Sequence, residues 1–202
     1  MARPKKTTAQ LEVMREQILN TALAILQEQG PEAITSRAIA ERMGVAHMSL
    51  YTYFENQSAI LRALSKREMA KWRGQQQIFD QRAETEDIIK IVEEMLRFFI
   101  AFARENPNLY RMAWVMPEVG GESAEENRQR MQSTVGHLAV LLQRGMEQGV
   151  FQPRNPFLAA STTLAMVNTP YILFHSGKLI DPDLRDQMVK EMFSAALGYL
   201  RK

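Results

Sequence analysis

Apolar residues recur at intervals of three and four along nearly the whole chain, which is the spacing of one buried face on an α-helix. The first such stretch runs from Leu11 to Gln29, and Gly30 followed by Pro31 ends it. No stretch shows the alternation and the β-branched richness that strands require. The pattern therefore predicts an all-α protein of about nine helices.

Capping residues and helix breakers divide the rest of the chain. Thr35 and Ser36 are suited to begin a short helix that ends near Met43, and Gly44 is suited to the left-handed position after it. A further short helix is predicted at 46–54, and Asn56 is suited to cap the next one. The remaining predicted helices span 56–79, 84–106, a short element around Tyr110 and Trp114, 124–148, 157–175 and 182–201, with a loop at 118–123.

The segment from Thr35 to Phe54 carries the clearest functional signal. Two short helices joined by a glycine-containing turn are typical of a helix-turn-helix, whose second helix enters the DNA major groove. Helix one and the start of helix four would complete its core, although a purely structural helical hairpin shows the same pattern. The sequence predicts a DNA-binding domain at 1–56 and a helical second domain at 57–202. The residues predicted to pack inside the motif are Ala38, Ile39, Met43, Val45, Leu50 and Phe54.

With Leu50 and Phe54 turned inward, the opposite side of the second short helix is predicted to face DNA. Met48 is suited to a thymine methyl group, and hydroxyl groups there are suited to base edges or phosphates. His47 and Met48 could instead be solvated surface, and Tyr53 could be core because it lies angularly near Leu50. The predicted DNA-contacting residues are Thr35, Ser36, Arg37, His47, Met48, Ser49, Tyr51, Thr52 and Tyr53, together with Lys5 and Lys6.

Charge is distributed unevenly, although the net charge is only +2. Residues 1–73 carry 11 basic and 7 acidic side chains, whereas the remainder carries 14 basic and 16 acidic ones. The first third therefore has a basic surplus, which begins with Arg3, Lys5 and Lys6. A solubilising tail and a solvated helix face would produce the same distribution, but a basic arm before a helix-turn-helix is suited to phosphate contacts.

Residues 35–64, TSRAIAERMGVAHMSLYTYFENQSAILRAL, resemble the N-terminal signature of the TetR family of regulators. The turn at Gly44 and the aromatic run that ends at Phe54 carry the resemblance, which extends over about residues 11–65. Two positions depart from it. Ala46 stands where a capping Ser is frequent, and Gln57 stands where a phosphate-approaching Lys is frequent, so that Lys66 or the arm would have to replace that contact.

The resemblance implies a homodimeric repressor that a small effector releases from a palindromic operator in double-stranded DNA. Dimerisation would use the last two helices. Their apolar stripes permit it, although both stripes could be satisfied within one subunit. The stripe residues are Phe157, Ala160, Ser161, Leu164 and Val167 in the first of these helices, and Met188, Val189, Met192, Phe193, Ala196, Leu197 and Leu200 in the second.

A pocket for a small hydrophobic or amphipathic effector is predicted where aromatic residues meet a few polar groups in the second domain. The same aromatic residues could simply fill a core, and His137 could be a hydrogen-bonded core histidine. The predicted pocket residues are Phe98, Phe102, Tyr110, Trp114, His137, Asn168 and Tyr171, with His175 nearby.

Other function classes have little support in the sequence. The chain has no cysteine, no phosphate-binding glycine loop and no clustered histidines, so neither catalysis, a metal nor a cofactor is expected. It shows no signal-peptide pattern and no uninterrupted apolar run of about 20 residues, and we therefore expect a cytoplasmic protein without membrane contact. The alternatives are a helical carrier or enzyme with an incidental basic terminus, and an architectural DNA-binding protein without an effector.

Overall fold

The computed structural model describes residues 7–116 and 124–201, without the side chains of 124–127, 130, 131, 133 and 134. Over these residues the chain is all-α, as predicted, and a short 3₁₀ turn at Pro31–Ala33 joins the first two helices. The helices are α1 Thr8–Gln29, α2 Ser36–Met43, α3 His47–Thr52, α4 Gln57–Arg82, α5 Ile88–Glu105, α6 Pro107–Tyr110 continued by a π-helical turn at Arg111–Val115, α7 Ala124–Glu147, α8 Pro156–His175 and α9 Pro182–Leu200.

The predicted caps of the first domain are confirmed. The Thr35 hydroxyl accepts a hydrogen bond from the Ala38 amide at 3.0 Å, and Gly44 ends α2 at φ 65°, a left-handed conformation that glycine adopts without strain. The helix predicted at 46–54 is shorter than expected, because α3 is a six-residue 3₁₀ helix. Ala46 precedes α3 and has no side-chain oxygen that could accept from the first amides of this helix. Short helical runs often have 3₁₀ geometry.

Two hydrophobic cores share α4. The first core joins α1, α2 and α3 to the beginning of α4 through Ile60, Leu61 and Leu64, whereas the second begins at Met69. The first turns of α4 therefore close the core of the first domain, as the sequence predicts. A helix of 26 residues is about 39 Å long, so α4 reaches from one core through the other.

The short helix α6 forms a second connection between the cores. Met112 packs against the first core, whereas Tyr110 is buried in the second. The Asn108 amide donates to the Gln27 carbonyl at 3.3 Å, and Arg111 pairs with Glu32 after α1. The sequence pattern missed this contact, since it joins residues about 80 positions apart.

Helix α8 is the one helix of the described residues that is long and apolar enough to cross a membrane. A core helix of a soluble protein meets the same criterion, and 39% of its apolar window is buried inside this chain. It packs against α7, α5 and α9, and polar residues such as Thr163 and Asn168 interrupt its sequence.

Candidate nucleic-acid interface and sensor core

The two sides of α3 differ in the way the sequence predicts. Leu50 is 1% exposed and Phe54 is buried beside it, whereas Met48 is 70% exposed and Thr52 is also exposed. Ser49 is half-buried, and its hydroxyl donates to the Ala46 carbonyl within the same turn. Met48 and Thr52 thus form the outward surface of the motif.

A chain of polar contacts fixes α3 against α2. The Tyr51 hydroxyl donates to the Ser36 hydroxyl oxygen at 3.3 Å and lies 3.3 Å from His47 Nε2. The rings of His47 and Tyr51 meet edge to face, with centroids 5.3 Å apart. Tyr51 and His47 are half-buried, so both side chains reach the surface. Their contacts with each other and with Ser36 fix their positions.

Three predicted placements need correction. Tyr53 is only 8% exposed, and it belongs to the core rather than to the outward surface because it lies beside Leu50. Ser36 is also buried, and its hydroxyl is engaged by Tyr51. Val45, predicted to fill the turn, is exposed, because the backbone between α2 and α3 bends tightly through Gly44 and brings the Val45 amide onto the Ala40 carbonyl.

Gln57 has a role that the sequence pattern missed. Its side-chain carbonyl accepts from the Ser36 amide at 3.2 Å, and its side-chain amide donates to the Ile34 carbonyl at 3.1 Å. These bonds hold the N-termini of α2 and α4 side by side, where free amides and helix dipoles favour an anion. The only signal in the sequence was the departure from the expected Lys at this position.

We expect Gln57→Met to destabilise the first domain. Methionine has nearly the same length but cannot pair with Ser36 or Ile34, and a backbone group left unpaired in a partly buried place costs about 1–3 kcal/mol. The melting temperature should fall by several degrees in thermal unfolding. Gln29→Met, at an exposed position near the end of α1, is the matched control and should leave it unchanged. An equal melting temperature for both variants would contradict the linking role of Gln57.

Much of the basic surplus of the first third is paired within the chain. Arg67 contacts Glu16 and Glu68, and Lys71 contacts Glu68. Arg37 and Lys66 are exposed and have no ion-pair partner among the described residues. The predicted arm residues Arg3, Lys5 and Lys6 lie outside the described residues.

The aromatic residues predicted for the second domain do come together, around a residue that the sequence analysis did not select. Trp72 of α4 stacks on Phe98 at 5.5 Å with an interplanar angle of 6°, and it also contacts Phe102 and Trp114. Tyr110 extends the cluster by stacking on Trp114 at 5.1 Å. In the sequence Trp72 lies between Lys71 and Arg73, and these charged neighbours conceal the apolar stripe of this part of α4.

Three polar members of the predicted pocket, His137, Tyr110 and Asn168, already have hydrogen-bond partners. His137 Nδ1 is hydrogen-bonded to Asp80 of α4, which favours the interpretation as a structural histidine. The Tyr110 hydroxyl lies 3.3 Å from both oxygens of Asn168. Burial raises the pKa of Tyr110 and Tyr171 and lowers that of the neighbouring His175, since it disfavours the charged form of each.

Two surface concavities among the described residues lie away from this cluster. One, of about 480 Å³, lies between α5 and α9 and is lined by Arg97, Arg104 and Phe193 among others. The other, of about 390 Å³, lies between the ends of α4 and α7 near Arg144. The aromatic side chains of the cluster pack directly against one another.

The stripes predicted for dimerisation are divided between the surface and this chain's own core. Phe157 is exposed, and the half-buried members are Ser161, Met188, Val189, Met192, Phe193 and Leu197. Ala160, Leu164 and Val167 are buried within this chain, as are Ala196 and Leu200 of α9. A further exposed stripe on α8 is formed by Leu158, Ala165 and Ile172, spaced at seven residues, with small polar residues between them. On α9, Leu184 and Ala195 are the corresponding exposed positions.

The fold and the motif define a helix-turn-helix protein with a second, all-helical domain. Residues 18–64 match the sequence profile of the bacterial regulatory proteins of the tetR family. The N-terminal part of the chain is therefore similar to the DNA-binding segment of that family.

Known proteins resemble this chain to different extents. The tetracycline repressor protein class C of Escherichia coli is 43% identical over 54 residues, which is 27% of this chain and 25% of that protein. The chain thus matches about a quarter of that repressor's length. The nucleoid occlusion factor SlmA of Vibrio cholerae is 24% identical over 76% of this chain and 79% of its own. The regulator FadR of Bacillus subtilis, solved with stearoyl-CoA, shares the fold at a TM-score of 0.68 and 16% identity, covering 91% and 98% of the two chains.

Proposed function

We propose that this protein is a homodimeric transcriptional repressor that binds a palindromic operator and is released from it by a small effector. The observation that carries the DNA-binding part is the exposed side of α3, where Met48 and Thr52 project from a helix whose other side is anchored in the core. The operator is double-stranded DNA, and the protein would act in the cytoplasm.

The surroundings of α3 support contact with a DNA backbone. The adjacent N-termini of α2 and α4, held by Gln57, offer amides to a phosphate, and Arg37 is exposed on the first turn of α2. Thr35, Tyr51 and His47 lie around the same surface, and the arm with Lys5 and Lys6 would add charge. Backbone contacts of this kind position the domain, whereas Met48, Thr52 and Ser49 would read bases.

A homodimer is supported by the exposed stripe on α8. One short helix reads only a few base pairs, and paired half-sites one DNA turn apart need paired recognition helices. Leu158, Ala165 and Ile172 give α8 an apolar face with small residues between them, which allows close approach of a second copy. Packing of α8 and α9 against their symmetry mates would form a four-helix interface.

Two connections support effector control of DNA binding. Helix α4 runs from the first core into the aromatic cluster around Trp72, and α6 connects that cluster through Tyr110 to Glu32 beside α1. A ligand that favours a different arrangement of these helices changes the spacing of the two recognition helices in the dimer. Linkage requires operator DNA to weaken ligand binding by the same factor.

Selection of bound sequences from random double-stranded DNA, repeated with a panel of metabolites, tests this function. We expect one inverted repeat with half-sites about 10 base pairs apart, and at least one compound that releases it. Enrichment of an unpaired site, or of no sequence, would contradict the proposal.

Nucleoid occlusion is the second candidate, because the resemblance to SlmA covers 76% of this chain whereas the resemblance to the class C tetracycline repressor covers 27% of it. The same selection separates the two functions. A specific palindrome that no compound releases would favour a DNA-binding role without an effector.

A further inference from the structure

One side of α4 carries polar atoms that the second core leaves unpaired. Trp72, Gln76 and Asp80 follow one another at intervals of four residues, so they lie on one face of the helix within about 12 Å along its axis. The Trp72 indole nitrogen, both amide atoms of Gln76 and Asp80 Oδ1 are buried without a hydrogen-bond partner among the described residues. We call these three residues the polar stripe.

Gln76 is the centre of this stripe and is 0% exposed. Its neighbours Gln75 and Gln77 are exposed, so three consecutive glutamines differ only in the face of the helix that they occupy. A buried amide without partners destabilises a fold, and most native proteins contain few such groups. Groups of this kind are expected where function uses them.

We propose that the polar stripe binds a planar heteroaromatic ligand that carries a lactam or amide edge. This inference names the effector class of the proposed function. The unpaired amide of Gln76 presents a donor and an acceptor side by side, and a lactam presents the complementary pair. The Trp72 N–H would donate to a ligand acceptor, and Asp80 Oδ1 would accept from a ligand donor.

The side chains around the stripe select the shape of the ligand. The Trp72 and Phe98 rings are parallel, and Phe102 and Trp114 also lie against Trp72. A flat ligand ring could therefore stack on these side chains in place of an aromatic contact that they make with each other. Because the Trp72 and Phe98 rings are stacked directly on each other, binding requires them to separate. An aliphatic chain would leave all four polar atoms unpaired, and the Asp80 carboxylate disfavours an anion at that end.

The position on α4 connects recognition to DNA binding directly. The same helix contributes Leu64 to the first core, two turns before Trp72. A ligand that bonds to the polar stripe therefore acts on the helix that enters the DNA-binding domain, without an intermediate element.

The test uses the full chain and three flat bicyclic probes. 2-Quinolone has the lactam edge, quinoline has an acceptor without the adjacent N–H, and naphthalene has neither. Calorimetric titration should show that 2-quinolone binds at least tenfold more tightly than either of the others. The chain has two tryptophans, so its nitrogen-15 spectrum contains two indole N–H signals, and the Trp72 signal, identified with Trp114→Phe, should shift with 2-quinolone.

Matched variants separate recognition from folding. Gln76→Met should raise the melting temperature, because an unpaired amide is replaced by an apolar group of similar length, and it should abolish the preference for 2-quinolone over quinoline. Gln77→Met, on the exposed face, should leave both unchanged. The proposal is overturned if the wild-type protein does not prefer 2-quinolone, if Gln76→Met keeps the preference, or if that variant melts at a lower temperature.

The outcome of the probe titrations does not depend on the DNA-binding proposal. Selection from random DNA is carried out on the same protein without any probe, so its failure would refute the proposed operator binding while leaving the lactam preference measurable. Conversely, an enriched palindrome without a preference for 2-quinolone would refute only the polar stripe as a ligand site.

Discussion

Ala165→Arg is expected to convert the homodimer into a monomer and to weaken operator binding by at least two orders of magnitude. Ala165 is exposed at the middle of the α8 stripe, between Leu158 and Ile172. An arginine there would be buried without a partner when two copies meet, and an unpaired buried charge costs about 3–5 kcal/mol, which corresponds to roughly 100-fold or more in dimer affinity. Each monomer would then bind a single half-site.

Sedimentation velocity and titration of the selected operator measure the two effects. Ile78→Arg is the matched control, since Ile78 is an exposed apolar residue on α4, outside α8 and α9. It should remain dimeric and bind normally. A dimeric Ala165→Arg protein with normal operator affinity would show that the α8 stripe is not the interface.

Met48→Glu is expected to reduce operator binding by on the order of 100-fold without lowering the melting temperature. Met48 is 70% exposed, so its side chain adds little to the stability of the domain. On the proposed DNA-facing surface, however, a carboxylate removes an apolar base contact and is repelled by nearby phosphates. Thr52→Glu, at the other outward position of α3, should behave in the same way.

The control is Gln29→Glu, which makes the same change in charge at an exposed position of the same domain. Its affinity should change little at physiological salt, where distant charges are screened. If Met48→Glu and Gln29→Glu weakened binding equally, the effect would be one of net charge, and α3 would not lie in the groove.

The effect on stability of replacing a glutamine by methionine depends on the surroundings of that glutamine. We expect Gln→Met to destabilise the fold at position 57 and to stabilise it at position 76. At position 57 both amide atoms are paired with backbone groups, whereas at position 76 neither atom has a partner among the described residues. Residue type alone predicts the same outcome at both positions.

The sequence by itself determined the local structure of this protein. Helix periodicity, the Thr35 and Asn56 caps and the left-handed Gly44 depend on neighbours within a few residues, so the pattern predicted most helix ends closely. The same local pattern predicted that Leu50 faces inward and Met48 outward. The family resemblance depends on the same segment.

Only the tertiary structure decided which polar groups find partners. Gln57 meets Ser36 and Ile34, Asp80 meets His137, and Arg111 meets Glu32, in each case across 20 or more positions of the chain. It also decided that Val167 and Leu200 serve this chain's own core while Ala165 remains exposed. Hydrophobic periodicity shows that a helix has a buried face, but the residues that cover this face come from distant segments, and only their packing determines which they are.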